Sequence, residues 1–273
     1  MSNYQLIALD MDGTLLNSQK RITPLTQQAI HRAFAAGKEV VFCTGRSTSE
    51  LLEYFALFPE MHYAICASGA YLYDVKAKQS HLLHTFTRPL VEAVFALAQS
   101  KDVLPQLYLD GKPYVLDSAL DHAGDYYVAQ YESLFRTVSV VSEDPYALCL
   151  KGAERMVKIN LYHRSQEDRL DTRRRLEHLP VLLVDSEVTG LEISPLGADK
   201  GSGLRALCQL LGLPMEQTIA VGDSYNDLPS LTAAGLGVAV GNARDATKAV
   251  CSAIVADCDH DGVAQAIDRF LLG

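Results

Sequence analysis

The sequence has little of what several protein classes require. Basic residues are fewer than acidic ones: there are 24 Lys and Arg and 33 Asp and Glu, which gives a net charge of −9 and a pI near 5.3. This balance argues against a nucleic-acid or acidic-membrane partner, because either would favour a basic surface. A phosphorylated small molecule stays open as a partner, because a metal ion and a few cations reverse the field locally.

Long apolar runs and targeting signals are also missing. No stretch approaches the roughly 18 consecutive apolar residues of a membrane span. The opening residues Met1–Tyr4 carry no basic segment followed by an apolar one. The six cysteines are scattered, with no C-x-x-C pair, so neither a zinc site nor a disulfide framework is expected. We therefore expect a cytoplasmic protein with reduced cysteines and no membrane partner.

What is present is enough apolar sequence for a substantial core. The chain has 273 residues, of which 48% are hydrophobic, and a mean hydropathy of +0.05. The apolar run Leu6–Leu9 predicts a strand buried on both faces. Asp10 and Asp12 follow it, and on a continuing strand they would share one face. Two such carboxylates repel unless a proton or a cation lies between them.

The order of predicted elements indicates two modules. Thr23-Pro24 predicts a helix start, and short apolar strands follow at Glu39–Cys43 and Ala64–Ala67. Strands alternating with helices favour a parallel sheet with right-handed crossovers. From about His84 to Val188 the strands are less apolar and the connections shorter, and the parallel pattern resumes near Leu191. We predict an α/β protein: a doubly wound, Rossmann-like core over 1–83 and 189–273, with an inserted α+β domain over 84–188.

Polar residues gather where the core strands end and where one helix begins. They are Asp10 and Asp12, Thr44-Gly45-Arg46, Lys200, Asp223, Asn226 and Asp227. The carboxyl ends of parallel strands meet at one edge, where open α/β sheets bind ligands. The carboxylates suit a hard cation such as Mg²⁺, and the hydroxyl, backbone and ammonium donors suit phosphate. A carboxylate can attack phosphorus while its neighbour moves protons.

These segments resemble a known family. The four motifs of haloacid dehalogenase-like phosphatases are matched, in order, by Asp10–Thr14, Thr44–Arg46, Lys200–Gly201 and Gly222–Asp227. The flanks Glu192–Pro195 and Asp261–Ala264 are similar to the Cof-type branch, whose type IIB α/β cap follows the second motif. The resemblance implies a hydrolase of phosphate monoesters of small metabolites, sugar phosphates first and cofactor phosphates such as pyridoxal phosphate second. The inserted domain would be the cap that closes over the site and selects the substrate.

The resemblance also implies a role for each site residue. Asp10 would be the nucleophile and a Mg²⁺ ligand, Asp12 the acid/base and a ligand through its carbonyl, and Asp223 the third ligand. The implied phosphate-binding residues are Met11 (by its backbone), Thr44, Gly45, Lys200 and Asn226. Asp227 would orient Lys200 or a water on the metal. Ser68 stands where the family usually has Asn before Gly69, so a substrate contact by that Asn does not carry over.

Two other functions remain open at this stage. A phosphomutase would use the same acidic pair to return phosphate to a bound sugar. A non-enzymatic protein would keep the fold and bind a phosphorylated effector, although binding alone needs no nucleophile beside a metal. Each motif alone also has an ordinary explanation as a turn or a helix start, and only their joint presence favours catalysis. The sequence does not determine the oligomeric state, and we allow for a homodimer.

Three further patterns favour structural explanations. Asp257–Gly262 approaches an EF-hand loop, but Ser252–Ala256 before it predicts a strand, which favours a polar turn. Arg173–Arg175 predicts a solvated helix face. At near-helical spacing His122, Tyr126, Tyr127 and Tyr131 recur, which predicts a core stripe, with lining of a substrate pocket as the alternative.

Overall fold

The computed structural model describes residues 3–273 and divides the chain into two compact units. The core unit comprises Met1–Arg46, Glu53–Leu83 and Asp199–Gly273, and the cap unit comprises Ser47–Leu52 and His84–Ala198. The expectation that no targeting segment begins at Met1 and Ser2 lies outside the described residues. Across residues 3–273, no helix combines the length and the apolar character needed to cross a membrane.

The secondary structure follows the expected alternation. The strands are β1 (Leu6–Leu9), β2 (Glu39–Cys43), β3 (Tyr63–Cys66), β4 (Tyr71–Asp74), β5 (Gln79–Leu82), β6 (Val103–Leu109), β7 (Lys112–Leu116), β8 (Val140–Ser142), β9 (Met156–His163), β10 (Val181–Ser186), β11 (Gly190–Pro195), β12 (Thr218–Gly222), β13 (Leu236–Ala239) and β14 (Ala253–Ile254). The helices are α1 (Pro24–Ala35), α2 (Leu52–Leu57), α3 (Arg88–Gln99), α4 (Asp117–Leu120), α5 (Glu132–Val138), α6 (Pro145–Leu150), α7 (Gln166–Leu176), α8 (Lys200–Leu211), α9 (Leu228–Ala233), α10 (Asp245–Val250) and α11 (Gly262–Ala266), the last continued by a π-helical turn over Ile267–Leu271.

The core unit is built on one sheet in the order β14-β13-β12-β1-β2-β3-β4-β5. It is parallel from β14 to β3, and β4 and β5 add an antiparallel edge. All four residues of β1 are buried, and this strand pairs with β2 on one side and β12 on the other. Helix α1 packs with α11 and helix α8 with α9. The doubly wound core is confirmed, and β1 lies where the strand order reverses, the usual ligand edge of such sheets.

Two helix starts follow directly from the sequence. The Thr23 hydroxyl accepts a hydrogen bond from Thr26 N at 3.2 Å, and Pro24 occupies the first helical turn of α1. At α8 the Asp199 carboxylate accepts from Ser202 N at 2.7 Å, which fixes the helix start at Lys200. The helix ends at Gly212, whose φ of 64° is the left-handed conformation that glycine adopts readily.

The cap unit contains a second sheet, in the order β10-β11-β9-β6-β7-β8. Its pairs are antiparallel except β7 with β8, and the predicted hairpin turns at Asp110-Gly111 between β6 and β7. Helices α3 and α6 pack against β6, and α7 packs against β9 and β11. An α+β unit inserted into an α/β core is therefore confirmed.

The expected resumption of the parallel pattern at Leu191 is wrong. Strand β11 is antiparallel to both β9 and β10, so it belongs to the cap sheet, and the core resumes at Asp199 instead of residue 189. Its apolar residues Leu191 and Ile193 resemble a core strand in sequence, but they complete the cap's own hydrophobic cluster.

The predicted tyrosine stripe is also wrong. The segment is broken into α4 and two short 3₁₀ turns, and Tyr127 takes a left-handed φ of 59°. Only Tyr126 of the four residues is buried, while His122 and Tyr127 are exposed. By contrast, the polar turn before α11 is confirmed, because strand β14 and no helix precedes Asp257–Gly262.

Candidate active site

Four backbone segments place polar side chains at the carboxyl edge of the core sheet. Asp10 directly follows β1 and is held by its N–H, which donates to Val221 O at 3.0 Å. Thr44 follows β2, Asp223 follows β12, and Lys200 is the first residue of α8. Because β2, β1 and β12 are neighbours, residues that are up to about two hundred positions apart in sequence lie together.

A buried lysine lies at the centre of this cluster. The Lys200 ammonium, 1% exposed, donates to Asp10 Oδ1 at 2.5 Å and to Asp227 Oδ1 at 2.6 Å. The other oxygen of Asp227 accepts from the backbone N–H groups of Asp223 and Ser224, each at 3.0 Å. Asp227 therefore holds the Lys200 ammonium against the loop that carries Asp223.

At two positions near the site, the backbone lies so close to a neighbouring group that only glycine fits. A Cβ on Gly222 would lie 2.5 Å from Asp227 Cγ. On Gly69 a Cβ would lie 2.0 Å from the Asp199 carbonyl oxygen, and the φ of Gly69 is +92°. Two glycines thus permit the packing that seats Asp227 and the start of α8.

The carboxylates around Lys200 carry an excess of negative charge. Oxygens of Asp10, Asp223 and Asp227 lie within 4.8 Å of one another. Burial raises the pKa of Asp10 well above its usual value, the charge of Asp227 adds to this, and Lys200 opposes it. Burial and Asp227 likewise raise the pKa of Asp223, whose Oδ1 accepts from the Thr14 hydroxyl at 3.1 Å. Such a cluster favours a bound proton or cation.

The donor set fits a hard divalent cation. It consists of carboxylate oxygens only, which Mg²⁺ prefers, and one ammonium does not neutralise three carboxylates. Both oxygens of Asp227 already accept hydrogen bonds, so Asp10 and Asp223 are the better candidate ligands.

Asp12 has different partners from Asp10. Its carboxylate accepts from Arg46 Nε and Nη2, each at 2.8 Å, and from Lys20 Nζ at 2.9 Å. Burial favours the protonated form, but the hydrogen bonds and charges of Arg46 and Lys20 outweigh it and hold the pKa of Asp12 well below its usual range. The expectation that Asp10 and Asp12 share a strand face is wrong, because the strand ends at Leu9.

The candidate phosphate-binding residues are positioned by the same loops. Thr44 is buried, and its hydroxyl accepts from Arg46 N at 3.1 Å, while Gly45 is partly exposed beside it. The Met11 carbonyl accepts from Thr14 N and Leu16 N, which folds the turn after Asp10. Among the described residues, the buried Oδ1 of Asn226 has no hydrogen-bond partner.

Comparison with known proteins agrees with this geometry. The sequence model of the haloacid dehalogenase-like hydrolases matches residues 7–267. The chain belongs to this family. Pyridoxal phosphate phosphatase YbhA of Escherichia coli is 30% identical over 98% of this chain and 99% of its own, and phosphatase YwpJ of Bacillus subtilis is 29% identical over 98% and 100%. A haloacid dehalogenase-like hydrolase from Bacteroides thetaiotaomicron superposes with a TM-score of 0.85 at 26% identity, covering 97% of this chain and 99% of that one.

This haloacid dehalogenase-like hydrolase is a phosphatase of the Cof type, as the motifs indicated. Sequence reasoning did not assign partners to four of its site residues. Thr14 and Arg46 lay inside quoted motifs, so their spacing was visible although their contacts were not. Asn242 donates to Gly13 O at 2.7 Å, and its signal was its place just after β13 at the same sheet edge. Lys20, which donates to Asp12 Oδ1 at 2.9 Å, lies in no motif, so no sequence pattern pointed to it.

Proposed function

We propose that this phosphatase is Mg²⁺-dependent and hydrolyses phosphate monoesters of small metabolites through an aspartyl-phosphate on Asp10. The observation that carries the proposal is the Asp10 carboxylate, buried between the Lys200 ammonium and Asp223. A buried carboxylate beside a cation site is a suitable nucleophile, because the approaching phosphoryl group meets little competing water.

Asp10, Asp223 and the carbonyl of Asp12 would hold the Mg²⁺. When bound, the ion neutralises phosphoryl charge and polarises the phosphorus centre. The fit rests on the all-oxygen donor set and on the raised pKa values of Asp10 and Asp223, which mark charge that a cation would compensate.

The phosphoryl oxygens would be bound by the Met11 backbone, Thr44, Gly45, Lys200 and Asn226. Lys200 supplies charge, and Asp227 keeps its ammonium in place. Turning the amide of Asn226 by 180° about its last torsion would place Nδ2 at the buried position where Oδ1 lacks a partner, and this donor would suit a phosphoryl oxygen.

In the first step an Asp10 oxygen would form a bond to phosphorus while the bond to the leaving alkoxide oxygen breaks. Asp12 would give that oxygen a proton. In the second step Asp12 would take a proton from water as the water oxygen attacks phosphorus, which releases inorganic phosphate and restores Asp10. Before acting as an acid, Asp12 must be released by Arg46 and Lys20, and the charge of the arriving phosphoryl group competes for both cations.

The substrate is proposed at the level of class. Sugar phosphates remain the first expectation, and the name of the Escherichia coli relative supports testing pyridoxal phosphate beside them. The non-enzymatic alternative is not favoured, since the chain is a phosphatase. A phosphomutase, a homodimer and a cytoplasmic location stay predictions for experiment.

The test is Asp10→Asn, which keeps size and fold but removes the nucleophilic charge. We expect hydrolysis of p-nitrophenyl phosphate with Mg²⁺ to fall by at least about 10³-fold. Lys76→Met, at an exposed lysine of the core unit, is the control and should leave the rate unchanged. Unchanged turnover in Asp10→Asn would refute the nucleophile. Hexose phosphates should yield inorganic phosphate, and an isomerised sugar phosphate would instead show a mutase.

A further inference from the structure

The polar turn Asp257–Gly262 has no part in the site described so far, yet each of its three aspartates accepts hydrogen bonds from the core unit. Asp257 Oδ1 accepts from Asp259 N at 2.9 Å. Asp261 Oδ1 accepts from two threonine hydroxyls at the start of α1. Asp259 Oδ1 accepts from Ser18 N at 2.8 Å. The turn is therefore tied to α1 and to the loop that follows Asp10.

Asn242 makes a second connection between the same two segments. Its Nδ2 donates to Gly13 O at 2.7 Å, and its Oδ1 accepts from Cys258 N at 2.9 Å. Because one partner is a carbonyl and the other an N–H group, the orientation of this amide is fixed by the backbone on both sides. We call Asn242 and Asp259 together the brace.

The brace contacts a loop that its own hydrogen bonds hold only in part. We call residues 10–18 the Asp12 loop. Three backbone hydrogen bonds fold it, from the N–H groups of residues 14–16 to the carbonyls of Asp10 and Met11. None of these three involves the Gly13 carbonyl or the Ser18 N–H. The brace holds these two points instead, one near each end of the loop.

The Gly13 peptide affects two groups of the candidate active site. Asp12 precedes it, and Thr14, which follows, donates its hydroxyl to Asp223 Oδ1 at 3.1 Å. At Gly13 the φ is +84°, and a Cβ there would lie 2.9 Å from Asp223 Oδ2, so the backbone passes close to this carboxylate. A rotation of the Gly13 peptide would therefore move Asp12 and Thr14 together.

Asp12 depends on this backbone more than a packed side chain would. Its side chain is 42% exposed and is held by ion pairs with Arg46 and Lys20. In the reaction proposed above, both cations release the carboxylate before it gives up a proton. From that moment its position is set mainly by the loop that carries it, and a displacement of about 1 Å can cost a reaction as much as about 10²-fold.

We propose that Asn242 and Asp259 are positioning residues that hold the Asp12 loop in the geometry in which Asp12 gives a proton to the leaving oxygen. They act through the Gly13 carbonyl and the Ser18 N–H and do not themselves take part in the proton transfer. This inference rests on the proposed function, and it adds the groups that keep the acid in place.

Four variants test the brace. Asn242→Leu keeps the size of the side chain and removes the donor to Gly13 O, and Asp259→Ala removes the acceptor of the Ser18 N–H. Asp259→Asn also removes the charge but keeps an acceptor oxygen, so it should restore the wild-type behaviour. Asp245→Ala, at an exposed aspartate of the core unit, is the matched control.

The readout is kcat/KM for two leaving groups. A hexose 6-phosphate releases an alkoxide that needs a proton, so its kcat/KM should fall by about tenfold or more in Asn242→Leu and Asp259→Ala. p-Nitrophenyl phosphate releases a phenolate that leaves without one, so its kcat/KM should fall by less than about threefold. Asp259→Asn and Asp245→Ala should stay within about twofold of the wild type for both substrates.

A purely structural role gives a different pattern. Equal losses for the two substrates in Asn242→Leu and Asp259→Ala would overturn the proposal, because a general distortion does not distinguish leaving groups. The proposal would also be overturned if Asp259→Asn lost as much activity as Asp259→Ala, or if neither brace variant changed the kinetics. Melting temperatures above the assay temperature establish that each variant is folded.

Hydrogen exchange separates the brace from the reaction. In the metal-free protein, peptides that cover residues 11–19 should exchange their amide hydrogens faster in Asn242→Leu and Asp259→Ala than in the wild type or Asp259→Asn. Unchanged exchange in both brace variants would overturn the brace whatever the kinetics show. A wild type that hydrolyses neither substrate would refute the proposed reaction, and the exchange rates would still decide whether the brace holds the loop.

Discussion

The core unit and the cap unit each bury a lysine among polar groups, but they complete its surroundings differently. In the core, Lys200 is held by two carboxylates, one of which is fixed further by two backbone N–H groups. In the cap, Lys158 pairs with the partly exposed Glu192. Nearby, Gln106 Nε2 and Asn160 Oδ1 have no hydrogen-bond partner among the residues that the structure describes. The core therefore surrounds its buried lysine with charged partners that are themselves held in place, whereas the cap leaves polar atoms beside its buried lysine without partners.

The largest expected effect comes from replacing each of the two buried lysines by methionine and comparing the losses. Lys200→Met leaves Asp10 and Asp227 as buried, unpaired charges, so we expect hydrolysis to be lost and the free energy of unfolding to fall by about 3–5 kcal/mol. Lys158→Met removes the ammonium beside the Glu192 carboxylate, but Glu192 is 22% exposed and water can reach it. Its cost should stay nearer about 1–2 kcal/mol.

Urea denaturation of the metal-free variants measures both losses. Equal destabilisation by the two substitutions would contradict the view that only the core lysine is fixed by buried charge. If hydrolysis survived in Lys200→Met, the assigned role of this ammonium in phosphate binding would be wrong.

The next effect is the pH dependence of metal stabilisation in the core. Burial raises the pKa of Asp10 and Asp223. In the metal-free protein the stability due to their protonated forms is present below the unfolded pKa of about 3.9 and is lost as pH rises through the folded values. Under the proposed Mg²⁺ dependence the ion would bind the ionised forms, so its stabilisation should grow with pH, reaching about 2.7 kcal/mol when its concentration is a hundred times its Kd.

Melting temperatures with and without Mg²⁺ at pH 5 and pH 7.5 test this sign. The shift should be larger at pH 7.5 and should vanish in Asp10→Asn. Asp102→Asn, at a mostly exposed cap carboxylate, is the control and should keep the shift. A shift that is larger at pH 5 would contradict the assignment of these carboxylates as ligands.

The smallest expected effect comes from replacing one closely packed glycine in each unit by alanine. In Gly222→Ala the new Cβ would lie 2.5 Å from the buried Asp227 Cγ, so we expect a loss of about 1–3 kcal/mol together with reduced kcat. In Gly152→Ala the nearest atoms, at 2.8 and 2.9 Å, are the flexible ends of Arg155 and Leu109. These ends can move, so the cap variant should lose under about 1 kcal/mol and keep its kcat. Similar losses of kcat in both variants would show that Asp227 is not displaced in the core variant.

The elements of the core unit were predicted well because each is determined by residues that are close together in sequence. The apolar run Leu6–Leu9 predicts β1, the N-cap Thr23 with Pro24 predicts the start of α1, and Gly212 predicts the end of α8. The parallel order of the strands then brings Asp10, Lys200 and Asp223 together. The strand β11 was assigned to the wrong unit because a short apolar run fits either sheet, and only pairing decides between them. Asp12 was placed beside Asp10 because nothing in the sequence shows that the strand ends at Leu9.

The buried amide pair of the cap lay beyond sequence reasoning for a related reason. Gln106 and Asn160 are 54 positions apart, and neither lies in a motif. Their partnership depends on the register between β6 and β9, which the sequence does not state. Lys20 is similar, since its contact with Asp12 arises from a turn without a recognisable pattern.

The central place of β1 has a consequence for biosynthesis. One edge of this strand pairs with β2, which is made soon afterwards, but the other pairs with Thr218–Gly222, so the cap is synthesised in between. Until that late segment emerges, an entirely apolar strand presents an open hydrogen-bonding edge, which is a template for pairing with another chain. We therefore expect a nascent chain that ends inside the cap region to be prone to aggregation until residues 218–222 have been made.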